Sequence, residues 1–488
     1  MMLKKQQKIK TYAINVFQRF KLFIKKPEGL FVVIAGIFGL IFVFLVPPIQ
    51  VYDERAHFFQ SYAFSNLNLI PEKHEYLGKY HYGAELPKSV FVAGELFIAN
   101  TAGVAETKFD TKLFGYIDQP LEPEITDHRE YGSGYSPVVY IPQIIGISIG
   151  KAFNTSPLIM IWLGRLANLV VWILLIYAAI RIIPFAKWAV VVLALNPMTV
   201  FLSASLSADV ITISLAFLFF SVVASTYVAR KSISKIKLAV LFGLVSLLAL
   251  TKPTNILFGF LLFTIPWRLF YAKWKYILFC VGAIGFSLVV AYVWNLLLAD
   301  ANAFNAQNMA IGRLISPNEQ LSIILNSPID YIKILLLNFV IIPDGQGYPG
   351  NQVLTSIVES LGWGETKIPL WTTLFYMIMV VFVFLYTAGR GYVLTKLQKS
   401  ILLALFVLFC VGNITAMYLY FTGVGQSIIL GVQGRYFIPG LILVAALFTA
   451  RKKIITISDK NFKIIIASGL SLVMLVTLLT IVIRYYGI

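Results

Sequence analysis

The sequence predicts an all-α polytopic membrane protein with about eleven transmembrane helices and a long first extracytoplasmic loop. Three observations carry that fold class. Of 488 residues, 59% are hydrophobic and 13% charged, against about 45–50% and about 25% in soluble domains, which excludes a soluble enzyme. Mean hydropathy is +0.81, and apolar stretches of about 17–25 residues, enough to cross a hydrocarbon core, recur along the chain. Finally, Lys and Arg cluster in the connections that helix parity assigns to one side.

The chain opens with a basic cytoplasmic tail, 1–28, followed by the first transmembrane helix at 29–46. That run ends at Pro47-Pro48 with no small-residue cleavage site after it, so it reads as a retained signal anchor. An extracytoplasmic loop, 47–156, leads to transmembrane helices 2–7 within 157–298. A second extracytoplasmic segment, 299–368, precedes helices 8–11 within 369–488. The spans are placed at 29–46, 157–180, 188–204, 207–228, 238–250, 253–271, 276–298, 369–388, 400–421, 434–450 and 464–484. The stretches 138–153 and 329–342 are apolar but short, and read as interfacial helices.

This parity puts the amino terminus and 25 of the 40 basic residues inside, with only Glu28 and Asp459 of the 22 acids. The net charge of +18 is therefore an inner-face charge, and no nucleic-acid partner is implied. Cys280 and Cys410 both lie in apolar runs, so no disulfide is expected. The inner loops are too short for a nucleotide fold, and no P-loop or GxGxxG motif is found. Any active site should face outward, on a multi-pass membrane protein.

The part of the first loop up to residue 136 holds 13 of the 22 acids and all four histidines, His57, His74, His81 and His128. Long loops in helical bundles are usually functional. Its most informative stretch is Pro47-Pro48-Ile49-Gln50-Val51-Tyr52-Asp53-Glu54-Arg55-Ala56-His57-Phe58. Two carboxylates and an imidazole stand there at a membrane exit, and Asp53, His57 and Gln60 share a face if 53–64 is helical. The alternatives are a helix-capping acid with a solvated first turn and a general base at the mouth of a lipid-accessible cavity.

Three further helix ends add charges on the same side. Ser207-Ala208-Asp209 is a cap or a ligand site; Lys252, before Pro253, snorkels or holds a phosphate. Arg435, before Tyr436, opens a helix whose positive dipole end it opposes, a conflict that a bound anion would relieve. Arg165 lies inside a span and must face the bundle or a wet cavity. Glycine- and tryptophan-rich stretches at Pro343-Asp344-Gly345 and Leu361-Gly362-Trp363-Gly364 mark the second external segment.

The run P-P-x-Q-x-x-D-E-x-x-H-F resembles the signature of a family of predicted bacterial membrane proteins carried as a domain of unknown function. Tyr135-Ser136-Pro137 through Tyr140-Ile141-Pro142, Asn196-Pro197, Ser205 to Asp209, Lys252-Pro253 and Gly434-Arg435-Tyr436 are similar to it in the same order. That family in turn resembles the C-type (GT-C) glycosyltransferase superfamily. The resemblance implies a GT-C-like bundle that takes sugar from a polyprenyl-phosphate carrier and passes it to a cell-envelope glycan or lipid-linked acceptor.

It also implies Asp53 as the catalytic acid, Glu54 as partner or alternate, and Lys252 or Arg435 near the donor phosphate. His57 joins the catalytic set, where it or Glu54 would orient Asp53 or bind sugar. Gln50, Arg165, Asp209, Lys252, Arg435 and Tyr436 make up the candidate substrate-binding set. If Asp53, Glu54 and Asp209 converge, their hard oxygens suit Mg2+ or Mn2+. The rival readings are a transporter or flippase of a lipid-linked glycan, with Arg165, Asn168, Asn196, Asn295 and Asn413 along a polar path, and a non-catalytic envelope assembly or sensor protein.

Overall fold

A computed structural model describes residues 18–19, 21–76, 79–98, 101–124, 126–130, 134–303, 314–340 and 353–487. Pro343-Asp344-Gly345 therefore lies outside the described residues, as does most of the basic tail. The fold is mostly helical, as expected. Among the described residues, seven helices are long and apolar enough to cross a membrane: Pro27–Leu45 (α1), Pro157–Ile182, Asp209–Tyr227, Lys273–Leu297, Leu370–Thr387, Lys396–Tyr420 and Asp459–Tyr486. The number rises to eight if Pro317–Asn326 and Pro328–Asn338, bent by 109°, form one broken span.

Eleven helices of that length are not found among the described residues, and four of the expected stretches fall short of it. The stretch 188–204 is two short helices, Lys187–Ala194 and Pro197–Ser203, broken at Asn196-Pro197. The stretch 238–250 lies in Lys235–Thr251, which ends at Lys252-Pro253. The stretch 253–271 is 3-10 helix over Pro253–Thr264 and Trp267–Phe270. The stretch 434–450 is a 3-10 turn, Gly434–Gly440, running into Leu441–Leu447. Proline lacks the N–H an α-helix interior requires and restricts the residue before it, and Pro197, Pro253, Pro266 and Pro439 stand at these interruptions.

Between α1 and Pro157–Ile182 lies a domain that hydropathy did not forecast. It begins with the helix Glu54–Ser65 (α2). A three-stranded antiparallel sheet of Glu72–Tyr76 (β1), Lys79–Pro87 (β2) and Thr126–Glu130 (β3) follows, in the order β1-β2-β3. The short stretch at 138–153 becomes Pro137–Tyr140 and Ile141–Ala152, folded back on Pro157–Ile182. Gly146 permits that packing, since a Cβ there would sit 2.4 Å from the Leu163 carbonyl oxygen. Twelve residues rise only about 18 Å, short of a span.

The core is one apolar cluster running through the bundle and up under α2. Asp209–Tyr227 is its centre, buried along almost its whole length.

Candidate ion-pair site

The strap leaving α1 is held from several sides. The Gln50 side-chain amide donates to the Phe97 carbonyl, Tyr486 Oη donates to the Leu45 carbonyl at 2.8 Å, and the Trp363 indole donates to the Ile49 carbonyl at 3.2 Å. Gly364 allows Tyr52 to pack on this turn, because a Cβ there would lie 2.4 Å from the Tyr52 hydroxyl. Ile49 and Asp53 take left-handed φ values of +63° and +60°. That conformation is strained for Ile49, whose side chain is β-branched. Such strain persists only where surroundings over-determine it.

Two buried Arg–Glu pairs lie nearby, and the first fastens the strap further. Arg165 and Glu54 are both fully buried and join through Nη2–Oε2 at 2.7 Å and Nε–Oε1 at 2.8 Å. Arg165 also donates to the carbonyls of Val43, Val46 and Pro47, the end of α1, where a cation complements the helix dipole. All five of its N–H groups are engaged. Glu54 Oε1 in addition accepts from the Leu206 N–H at 3.0 Å. Arg484 and Glu365 pair likewise at 3.2 Å, with Arg484 donating to the carbonyls of Thr101, Val104 and Thr107.

These contacts show what three of the candidate residues hold. All the Arg165 donors are engaged within the protein. Glu54 joins Arg165, and through it the end of α1, to the turn before Asp209. Gln50 holds the strap to Phe97. Asn168 and Gln143 grip the same 205–207 turn through its carbonyls.

What remains is a linear chain of charges. Asp53 does not cap α2 with its side chain; its carboxylate reaches Arg435, Oδ2 to Nη2, at 2.9 Å. Arg435 Nε lies 3.1 Å from Asp209 Oδ2, and Lys252 Nζ lies 2.7 Å from Asp209 Oδ1. The conflict between Arg435 and its helix start is thus met by the protein's own carboxylates. Asp209 leaves capping to Ser207, whose hydroxyl accepts from the Asp209 N–H at 3.3 Å. Lys252 does not snorkel freely, being tied to Asp209 with its ammonium 4.2 Å from the Tyr436 ring centre.

Residues 382 apart in the chain thus meet through a glycine-dependent approach. A Cβ at Gly434 would lie 2.3 Å from the Ile357 nitrogen.

The middle of the chain is more buried than its ends. The Asp53 side chain is 51% exposed, that of Arg435 only 4%. Arg435 Nη1 is buried without a hydrogen-bond partner, and Nε, although within ion-pair distance of Asp209, is not aligned to donate. Buried donors in that state are costly. They face a recess, lined by Asp209, Lys252, Asn255, Asn413 and Arg435, with room for about one water. It is far smaller than a lipid-linked sugar needs.

His57 lies beside the chain of charges, with Nδ1 2.7 Å from the Tyr140 hydroxyl. Burial, opposed by the Asp53 and Asp209 carboxylates, lowers its pKa to about 4, so it is neutral near pH 7 and is no proton acceptor poised for that range. It does not stand on one face with Asp53, whose backbone lies outside α2. Gln60 instead donates to the Tyr135 carbonyl at 3.4 Å.

Among the described residues, no three His, Cys, Asp or Glu side chains form a metal-holding group. Asp53, Glu54 and Asp209 do not converge: Arg435 stands between the two aspartates and Arg165 holds Glu54. The reading of the sequence also missed Tyr52, whose ring centre is 5.0 Å from the Arg435 guanidinium carbon, and the Arg484–Glu365 pair. An Arg near a helix end has no partner legible in sequence.

A family model described as "Predicted membrane protein (DUF2142)" matches residues 37–444, a range that contains all four members of the chain of charges. No curated protein and no solved structure matches the sequence.

Proposed function

The chain belongs to the DUF2142 family of predicted membrane proteins, and we propose that it is a glycosyltransferase using a polyprenyl-phosphate-linked sugar at the extracytoplasmic face. One observation carries the reading: Asp53, Arg435, Asp209 and Lys252, from four separate segments, form one continuous ion-pair chain. Its exposed end is a carboxylate, and its buried part holds a guanidinium with an unpaired donor. That is the charge order needed for a base beside a leaving phosphate.

In the reaction, an acceptor hydroxyl attacks the anomeric carbon and passes its proton to an Asp53 carboxylate oxygen. The bond from that carbon to the phosphate oxygen breaks on the opposite side, and its electron pair leaves on the phosphate. The configuration inverts. Arg435 and Lys252 stabilise the charge that develops there.

Without substrate the Asp53 carboxylate is held by Arg435. The donor phosphate competes with Asp53 for Arg435, so substrate binding both fills the unpaired Nη1 and frees the base. The small size of the recess fits this, since the rim must part for the substrate to enter.

The polar side chains considered for a transport path are engaged elsewhere. Asn168, Asn196, Asn295 and Asn413 each donate to a backbone carbonyl, and Arg165 is saturated. This favours the enzyme over the transporter.

The test is incubation of the purified protein with polyprenyl-phosphate sugars and an envelope-glycan acceptor, following sugar release. Asp53→Asn should abolish release and leave the elution profile and thermal unfolding close to wild type, because Asp53 is half-exposed and Arg435 keeps Asp209 as its ion-pair partner. Full activity in D53N removes Asp53 from the mechanism.

A further inference from the structure

A second cavity lies at the far end of the Asp209–Tyr227 helix, at Val222 to Thr226. Seventeen residues of rise from Asp209 amount to about 26 Å, close to the ~30 Å hydrocarbon thickness of a bilayer. The cavity is an open groove of about 710 Å³ bounded by Ile182, Ser225, the 229–234 loop, Lys237, Val240 and Leu269. The loop is a fixed wall, because the Ile233 N–H donates to the Leu269 carbonyl at 3.0 Å.

Two properties of the groove coincide. Arg230, Lys231 and Lys237 line it, and among the described residues none of them has an ion-pair partner. No acid lines it either. Glu28 and Asp459, the acids expected at this end of the bundle, are already engaged by Arg181 at 3.3 Å and by Tyr386 at 2.6 Å. Beside these cations, Ile236, Val240 and Ile182 are 78%, 42% and 39% exposed, and Ile236 and Val240 are one helical turn apart on one face. Unpaired cations at one edge of an exposed apolar wall match the headgroup and upper acyl chain of an acidic lipid. Basic pockets between transmembrane helices recognise such lipids.

We propose that this groove is a binding site for an anionic phospholipid, its phosphate held by Arg230, Lys231 and Lys237 and its acyl chain lying along Ile182, Ile236 and Val240. The inference is independent of the glycosyl-transfer reading. A neutral lipid would leave the three cations uncompensated, and a free phosphate would make no use of the apolar wall beside them.

The experiment uses the full-length protein in nanodiscs of equal phosphatidylglycerol and phosphatidylcholine. The lipids that stay bound after release into detergent are counted by native mass spectrometry. Wild type should retain phosphatidylglycerol in preference. R230Q/K231Q/K237Q should lower that preference about tenfold or more, each cation near the surface contributing independently. Val240→Trp keeps all three cations, fills the apolar half and should also reduce retention, which preserves the test if the triple variant does not fold.

Three results would overturn the proposal: equal retention of both lipids by wild type, undiminished phosphatidylglycerol on both variants, or displacement of the lipid by millimolar inorganic phosphate. The last would assign the groove to a free anion.

Discussion

Replacing Glu54 by Gln separates a positioning role from a chemical one. In the native protein Glu54 and Arg165 have no exposed side-chain surface. The carboxylate accepts two Arg165 N–H groups and the Leu206 N–H. A Gln side chain keeps one acceptor oxygen but turns an NH2 group toward the guanidinium, leaving Arg165 a buried cation with only carbonyl partners. Breaking one side of a buried pair costs about 3–5 kcal/mol, a large part of the roughly 5–15 kcal/mol that holds a typical protein folded.

E54Q should accordingly unfold several degrees below wild type when purified protein is heated and followed by tryptophan fluorescence. Adding Arg165→Met, which removes the stranded charge, should recover part of the loss, so that the two substitutions are strongly non-additive. Sugar release per folded molecule should fall far less than in D53N. An E54Q protein with wild-type unfolding and no activity would refute the assignment and return Glu54 to the chemistry.

Three other outcomes follow from the same geometry. His57 binds its proton less readily folded, near pH 4, than unfolded, near 6.5, so its contribution is complete above about pH 6.5 and is lost as pH falls from 6.5 toward 4. That interval is worth about 3 kcal/mol at most, and H57Q should flatten the fall in unfolding temperature over the same range. Arg435→Lys keeps the charge but cannot span Asp53 and Asp209 with a planar fork. It should lower the turnover number by about tenfold or more, and an unchanged turnover would show that charge alone suffices there. Lys252→Gln leaves Asp209 with Arg435 only and should mainly raise KM for the phosphate-linked donor; an unchanged KM would place the phosphate elsewhere.

The polytopic helical class was legible in the sequence because hydropathy is a local sum, and lipid-length apolar runs declare themselves without reference to the rest of the chain. The motif from Pro47 to Phe58 was legible for a similar reason, since two acids and a histidine at a membrane exit are unusual wherever they fold. The span count was less so. Asn196-Pro197, Pro253 and Pro439 interrupt runs whose hydropathy continues across them, and a sliding average does not register a missing N–H.

Partnership was decided by tertiary structure alone. Sequence placed Asp53 beside Glu54 and treated both as reactive, but one faces half-open toward Arg435 while its neighbour is sealed against Arg165. Adjacent side chains at a chain reversal point in different directions, and no local pattern records what each one meets. Arg165 and Arg435 were both placed in the substrate-binding set for the same reason. Their difference lies in how many of their N–H groups the fold has already engaged: all five in Arg165, and fewer in Arg435, where two buried nitrogens make no hydrogen bond.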